Sequence, residues 1–289
     1  MTIDSYHLGC PAWGIKGWVG NLYRSDARPR DYLAQYASVF NTVEGNTTFY
    51  STPSAENVAR WRDQVPASFR FCFKLPQTIT HHRGLIDASS ETAEFLGRMA
   101  PMGERLGPFM IQLPPSFGPD RLDVLDAFLR ALPGNYRFAV ELRHPACFRT
   151  EAFERVNELL TERGCERIVM DTRGLHSGGA EHPELAAARH SKPNLPVQAL
   201  ALSRHPLLRF IGHPAEAVNL PWMRRWARHV VRWIRQDRRP YLMVHSPGDI
   251  HAPRLARRLH GLIAEHLDVG EMPPWPGEEE RQKGQLSLL

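Results

Sequence analysis

Charged and amide side chains recur at the ends of short apolar runs, and those ends are where chemistry is to be sought. Glu44 and Asn46 stand in VEGNTTFY, Lys74 in FCFKLP, Gln112 in FMIQLPP, and Glu141, Arg143 and His144 in VELRHP. Asp171 ends IVMD, Arg209 lies in LLRFIG, and His245 closes YLMVH. Period-two alternation puts Glu44, Asn46 and Thr48 on one face of their run, and Glu141 with Arg143 on one face of theirs. Two carboxylates suit general acid and base work: a nearby cation keeps one ionised while desolvation keeps the other protonated. Glu44 and Glu141 are assigned those roles, with His81 of the His81-His82 pair as a third catalytic group. Asn46, Lys74, Gln112, Arg143, His144, Asp171, Arg209 and His245 are the expected substrate-binding set. Arginine grips phosphate or carboxylate bidentately and lysine adds a point charge, so the substrate class is anionic. A divalent metal would draw on Glu44, Glu141, Asp171 and His245, but the interleaved lysine and arginines repel it, and no metal or cofactor is expected. Cys10, set among apolar residues, reads as packing rather than as a thiolate nucleophile. The competing reading of the whole set is an ionic plug that only satisfies itself. Buried ion pairs are rarely net stabilising, which favours a site.

Such a convergence needs a scaffold that brings many strand ends together. Eight β-rich runs span 6–10, 41–50, 70–75, 109–113, 137–143, 167–172, 207–212 and 241–245. Between most of them apolar residues fall at helical spacing, as with Leu122, Leu125, Phe128 and Leu132. Strands alternating with helices imply a parallel sheet. Run starts roughly 28 to 40 residues apart predict a TIM-like (β/α)8 barrel with its site at the C-terminal strand ends. No glycine-rich phosphate turn follows the first run, which weighs against a doubly wound sheet. One domain over 1–267 is expected, interrupted by a long insertion at 173–206 that could act as a lid, with a flexible tail at 268–289.

The 289 residues, 42% of them apolar, suffice for one large core without staples. Thirty-six basic against 31 acidic residues give a formal +5, which permits an anionic partner but is no nucleic-acid arm. Four scattered cysteines suggest reduced thiols. The N-terminal stretch lacks a signal-peptide pattern and no apolar run is long enough for a membrane span, so a cytoplasmic protein with no membrane partner is expected. Arginines crowd two late helices: Arg224, Arg225, Arg228, Arg232, Arg235, Arg238 and Arg239, then Arg254, Arg257 and Arg258. In the first helix Trp222, Trp226, Val230 and Trp233 form the buried stripe, leaving an outward basic face open to phosphate backbones.

The pieces GCPAW at 9–13, VEGNTTFY at 43–50, FRFCFKLP with a following I-T-H at 69–81, QLPPSFGP at 112–119, VELRHP at 140–145 and LLRFIGHP at 207–214 resemble the YecE-like family, domain of unknown function 72. Gly45 and Ile211-Gly212 are similar to its enterobacterial branch. The resemblance runs through almost the whole chain and implies a cytosolic TIM-like barrel. It implies no activity, only that Glu44, Asn46, Lys74, His81, Gln112, Glu141, Arg143 and His144 make a site. Barrels likened to this family hold metals through several His, Asp and Glu; this chain has too few inward histidines and too many cations for that. The last five residues, with Gln285, Leu286, Leu288 and Leu289, resemble the short peptide by which bacterial replication and repair proteins engage the sliding clamp, although Leu289 stands where phenylalanine is usual. Two functions are therefore expected as rivals. One is an enzyme, hydrolase or lyase, acting on a phosphate-bearing sugar or nucleic-acid end; the other is a DNA-metabolism adaptor using the basic helices and the C-terminal peptide.

Overall fold

The computed structural model describes residues 5–179 and 183–286. Among them are nine short strands, β1 (His7–Gly9), β2 (Thr42–Gly45), β3 (Arg70–Phe73), β4 (Phe109–Gln112), β5 (Phe138–Glu141), β6 (Glu166–Arg167), β7 (Val169–Asp171), β8 (Leu207–Ile211) and β9 (Tyr241–His245). Helices α1 (Tyr32–Ala37), α2 (Thr47–Tyr50), α3 (Ala55–Asp63), α4 (Ser89–Met99), α5 (Leu122–Ala131) and α6 (Thr150–Glu162) alternate with the first strands. Helices α7 (Arg173–His176), α8 (Pro183–Ser191), α9 (Glu216–Arg235), α10 (Ala252–Ala264) and α11 (Pro276–Leu286) follow. All strand pairs are parallel. The strands are buried almost throughout, as parallel sheets covered by helices require.

The ladders form three sheets, ordered β1-β9-β8-β7, β2-β3 and β4-β5-β6, rather than the one closed eight-stranded ladder expected from the spacing. Two local causes are visible. The sixth run splits at Ile168: β6 pairs with β5, whereas β7 pairs with β8, so one stretch of chain passes from one sheet to another. Between β1 and β2, side chains stand in for ladder bonds. The Tyr36 hydroxyl accepts from the Cys10 amide at 2.7 Å and donates to the Thr42 carbonyl at 2.9 Å. Asn41 accepts from the Leu8 amide at 2.7 Å and donates to the Tyr6 carbonyl at 2.9 Å. A Cβ at Gly9 would overlap the Thr42 carbonyl oxygen, so this close seam needs glycine there.

Three further expectations change. The run 41–50 is strand only to Gly45 and then turns into α2, because Asn46 donates to the Pro11 carbonyl at 2.8 Å and Thr48 donates to the Lys74 carbonyl at 2.7 Å. On α9, Met223 joins Trp226, Val230 and Trp233 in the core, while half-buried Trp222 lies under the guanidinium of Arg173 at 4.5 Å. Composition predicts a flexible tail from 268, yet Trp275 is buried beneath Arg257, and Glu278 takes both ends of that guanidinium at 2.8 and 2.9 Å. Glu280 adds two bonds to Ser25. The side chains of Gln285 and Leu286, and all of Leu288 and Leu289, lie outside the described residues.

Candidate active site

The C-terminal ends of the strands carry a buried ionic network centred on Arg209 of β8. Arg209 is 1% exposed, and Glu44 and Glu141 are fully buried. Its Nε and Nη2 donate to the two Glu44 oxygens at 2.8 Å each, and Nη1 donates to Glu141 Oε2 at 2.5 Å. Glu141 Oε1 accepts from Arg143 Nε at 2.6 Å. Lys74 Nζ stands 3.3 Å from Glu44 Oε1 and donates to Gln112 Oε1 at 2.9 Å. His245 Nε2 lies 3.1 Å from Glu44 Oε2, and its Nδ1 is 4.0 Å from Asp249 Oδ1. Each charge is thus taken out of water together with its counterion, the condition under which a buried network is tolerated.

Above this network opens a cavity of about 840 Å³. Lys74, Gln112, Arg143, Arg209, His245, Asn46 and His81 line it. Glu44 and Glu141 lie beneath, their oxygens already shared among cations. Burial by itself would raise the Glu44 carboxyl, but Arg209, Lys74 and His245 hold it well below the usual carboxylate range. Glu141 is likewise driven down, its burial overcome by Arg209, Arg143 and Lys74. Neither carboxyl keeps a proton near neutrality, so the division of acid and base roles between Glu44 and Glu141 does not fit this geometry. Burial and the Arg209 charge lower the Lys74 ammonium to about 8 against the pull of Glu44 and Glu141. Burial, then Arg143, lowers His81. Burial lowers His245 and raises Asp249.

Two expected members stand apart. Asp171 turns from the cavity: it accepts from the Arg173 amide, Nε and Nη2 and, at 2.6 Å, from Trp226 Nε1. His144 accepts the Ala146 amide at 3.1 Å and caps the turn Pro145–Phe148, a structural role. With Asp171 turned away, the four side chains considered for a metal do not gather. Among the described residues, no group of three or more His, Cys, Asp or Glu is placed to hold one.

The structure also adds residues that the sequence reading missed. Lys192, Asp249, Phe49 and Tyr50 line the same cavity, with Glu184 and Ser191 of α8. Lys192 follows α8 in the 173–206 insertion, so that segment contributes to the wall. Burial and Arg209 lower its ammonium. Asp249 had a legible signal, because Ser246-Pro247-Gly248-Asp249 is a capping box whose acid reaches back to the Ser246 amide at 3.3 Å. Phe49 and Tyr50 were hidden by reading 41–50 as one strand. Phe49 packs edge-on to His81 with centroids 5.0 Å apart, and Tyr50 is 72% exposed.

Of the late arginines, Arg254 and Arg258 approach Glu216, Arg257 pairs with Glu278, and Arg238 donates to the Ala201 and Ser203 carbonyls. Arg224, Arg225, Arg228, Arg232 and Arg235 are exposed on α9. Among the described residues, no helix is long and apolar enough to cross a membrane.

Comparison with known proteins bears on family and fold. UPF0759 protein YecE of Escherichia coli K12 is 37% identical over 272 residues, covering 93% of this chain and 97% of the relative. YecE of Escherichia coli O157:H7 matches to the same extent. The crystal structure of a DUF72 family protein from Thermotoga maritima MSB8 superposes with a TM-score of 0.68 at 22% identity, covering 89% of this chain and 98% of that one. One from Enterococcus faecalis V583 gives 0.68 at 16% identity, covering 93% and 98%. These two structures speak for the α/β fold with parallel sheets. The model of the family described as Protein of unknown function DUF72 matches residues 7–280, and the chain therefore belongs to the DUF72 family.

Proposed function

We propose that the three sheets are the wall of a TIM-like barrel and that the cavity at their C-terminal ends is the active site of an enzyme acting on a phosphate-bearing sugar. The observation that carries this reading is Lys74. Its ammonium is buried, lowered to about 8, fixed by Gln112, and exposed to the cavity beside Arg143 and Lys192. A lysine so tuned exchanges a proton near neutral pH, which an ordinary surface lysine cannot do.

In this reading Arg143 and Lys192 hold the phosphate, Asn46 and Gln112 offer amides to sugar hydroxyls, and the exposed Tyr50 ring gives the sugar a stacking face. Lys74 takes the proton, and His81, neutral at rest, hands it on. Glu44 and Glu141 do not touch substrate; they fix Arg209 and Lys74 and set the local potential. Proton abstraction next to a leaving group makes a lyase the favoured reaction class over a hydrolase. A cytosolic location agrees with an anionic metabolite as substrate.

A panel of sugar phosphates and their unphosphorylated parents, titrated calorimetrically, tests the binding half. Phosphorylated members are expected to bind, with Lys192→Ala and Arg143→Ala each weakening binding about tenfold or more, the loss of one charge-assisted hydrogen bond. Lys74→Met should retain binding within a few-fold and abolish turnover of whichever member reacts. Equal affinity for phosphorylated and parent sugars would overturn the assignment.

A further inference from the structure

The opposite, N-terminal ends of the strands carry a second cleft, of about 500 Å³. Its charged lining is one-sided: Arg70, Arg137 and Arg239 with His7 and His205 and, among the described residues, no aspartate or glutamate. The floor is aromatic. His7 stacks on Tyr241 with ring centroids 4.2 Å apart, His205 meets the same ring edge-on at 6.1 Å, and Tyr241 is buried with Arg137 at its hydroxyl. These groups come from separate segments. His7 opens β1, Arg70 opens β3, Arg137 precedes β5, and Arg239 precedes β9. Parallel strands in register bring all of them to one end.

Two observations show that this is more than a solvated basic face. His7 Nδ1 is buried without a hydrogen-bond partner among the described residues, a costly state for an imidazole nitrogen. Burial, followed by the charges of Arg70, His205, Arg239 and Arg137, lowers His7 to about 3, so the cations crowd one another around it. At the other strand ends Arg209, Lys74 and Arg143 each meet a carboxylate; among the described residues lining this cleft there is none. A ligand bearing several negative charges would supply what the chain withholds.

We propose that this cleft binds a small phosphorylated metabolite, carrying a mono- or diphosphate, through Arg70, Arg137 and Arg239. Three guanidinium groups offer more donors than a single carboxylate could use, which suits phosphate oxygens. The volume matches a small molecule rather than a polymer groove. Arg70 already gives Nη1 to the Ala67 and Phe69 carbonyls, which fixes its plane before any ligand arrives. The site is separate from the cavity at the other strand ends and does not depend on the activity assigned there.

The test is calorimetry of the full chain with inorganic pyrophosphate and with inorganic phosphate at low salt, repeated in two buffers of different ionisation enthalpy. Binding at this cleft is expected to persist in Lys192→Ala and in Arg143→Ala, which weaken phosphate at the far cavity, and to bring proton uptake as the anion relieves the cations around His7 and His205. Arg137→Ala and Arg239→Ala should each weaken this component about tenfold or more. Absence of binding at about 1 mM, binding indifferent to both Arg137→Ala and Arg239→Ala, or binding lost altogether in Lys192→Ala would each overturn the proposal. So would an affinity that grows with the length of a polyphosphate without saturating at one site, the mark of a counterion surface.

Discussion

The two ends of the strands solve the same electrostatic problem in opposite ways. At the C-terminal ends, Arg209, Lys74 and Arg143 are each within 3.3 Å of a carboxylate oxygen. At the N-terminal ends, Arg70, Arg137 and Arg239 surround His7 with no acid among the described residues of the lining. The first arrangement is a fixed field, complete without ligand, in which removal of any partner strands another charge. The second is an incomplete one, cheap to maintain because water reaches its arginines. A buried charge network thus marks where geometry is held constant, and an unmatched one marks where charge is left to be supplied.

The largest separation between the two ends should appear on deleting one cation from each. Arg209→Ala leaves Glu44 and Glu141 buried without their shared partner, and a loss of about 3–5 kcal/mol is expected in urea denaturation. Arg137→Ala, at an exposed position, should change stability by about 0.5 kcal/mol or less. Equal losses would erase the contrast.

Next in size is the Lys74 titration. Acetylation mapped by mass spectrometry should show Lys74 reacting with a midpoint near 8, below the ordinary lysine value of 10.5. Arg209→Met should raise that midpoint, because Arg209 is one of the charges that lowers it. An unchanged midpoint would remove the network's hold on Lys74.

A smaller effect concerns acid stability. His7 is lowered to about 3 in the folded chain, so between that value and the ordinary 6.5 the unfolded chain binds the extra proton. Its contribution to stability is complete above pH 6.5 and is lost as pH falls toward 3. Comparing denaturation midpoints at pH 7.5 and 5.5, His7→Gln should show a shallower decline than the parent. Raising sodium chloride from about 50 to 300 mM is the mildest probe. It should weaken pyrophosphate binding at the unmatched cleft and barely move the stability difference caused by Arg209→Ala.

Much of this was legible from sequence, for physical reasons that differ by residue. Glu44, Lys74, Glu141, Arg209 and His245 were found because a charged side chain at the end of an apolar run has nowhere to go but into a shared polar space. The alternation of strands and helices gave the parallel α/β class for the same reason, since burial on both faces leaves its mark in composition. What failed depended on local contacts. Asp171 looked like the others but sits within reach of Arg173 and Trp226, and nothing in IVMDT announces Trp226. Roles also failed where placement succeeded: the count of cations around Glu44 and Glu141 decides their protonation, and that count is a property of the fold. Lys192 was invisible because it follows a weakly amphipathic helix in an irregular insertion. The cleft at the other strand ends was missed altogether, because Arg70, Arg137 and Arg239 stand at strand starts, where an arginine reads as ordinary surface.

The pairing of β1 with β9 ties the beginning of the chain to residues 241–245. During synthesis, His7–Gly9 must wait for more than two hundred residues before its ladder partner exists, while toward its other neighbour, β2, side-chain bonds from Tyr36 of α1 and from Asn41 just before β2 stand in place of a ladder. Contacts so distant in sequence slow folding and prolong the life of partly built intermediates. The Tyr36 and Asn41 bonds are local enough to form early, and they would hold the first strand in place as a temporary clasp until the last one arrives. Removing the Tyr36 hydroxyl should therefore cost more in refolding yield than in the stability of the finished protein.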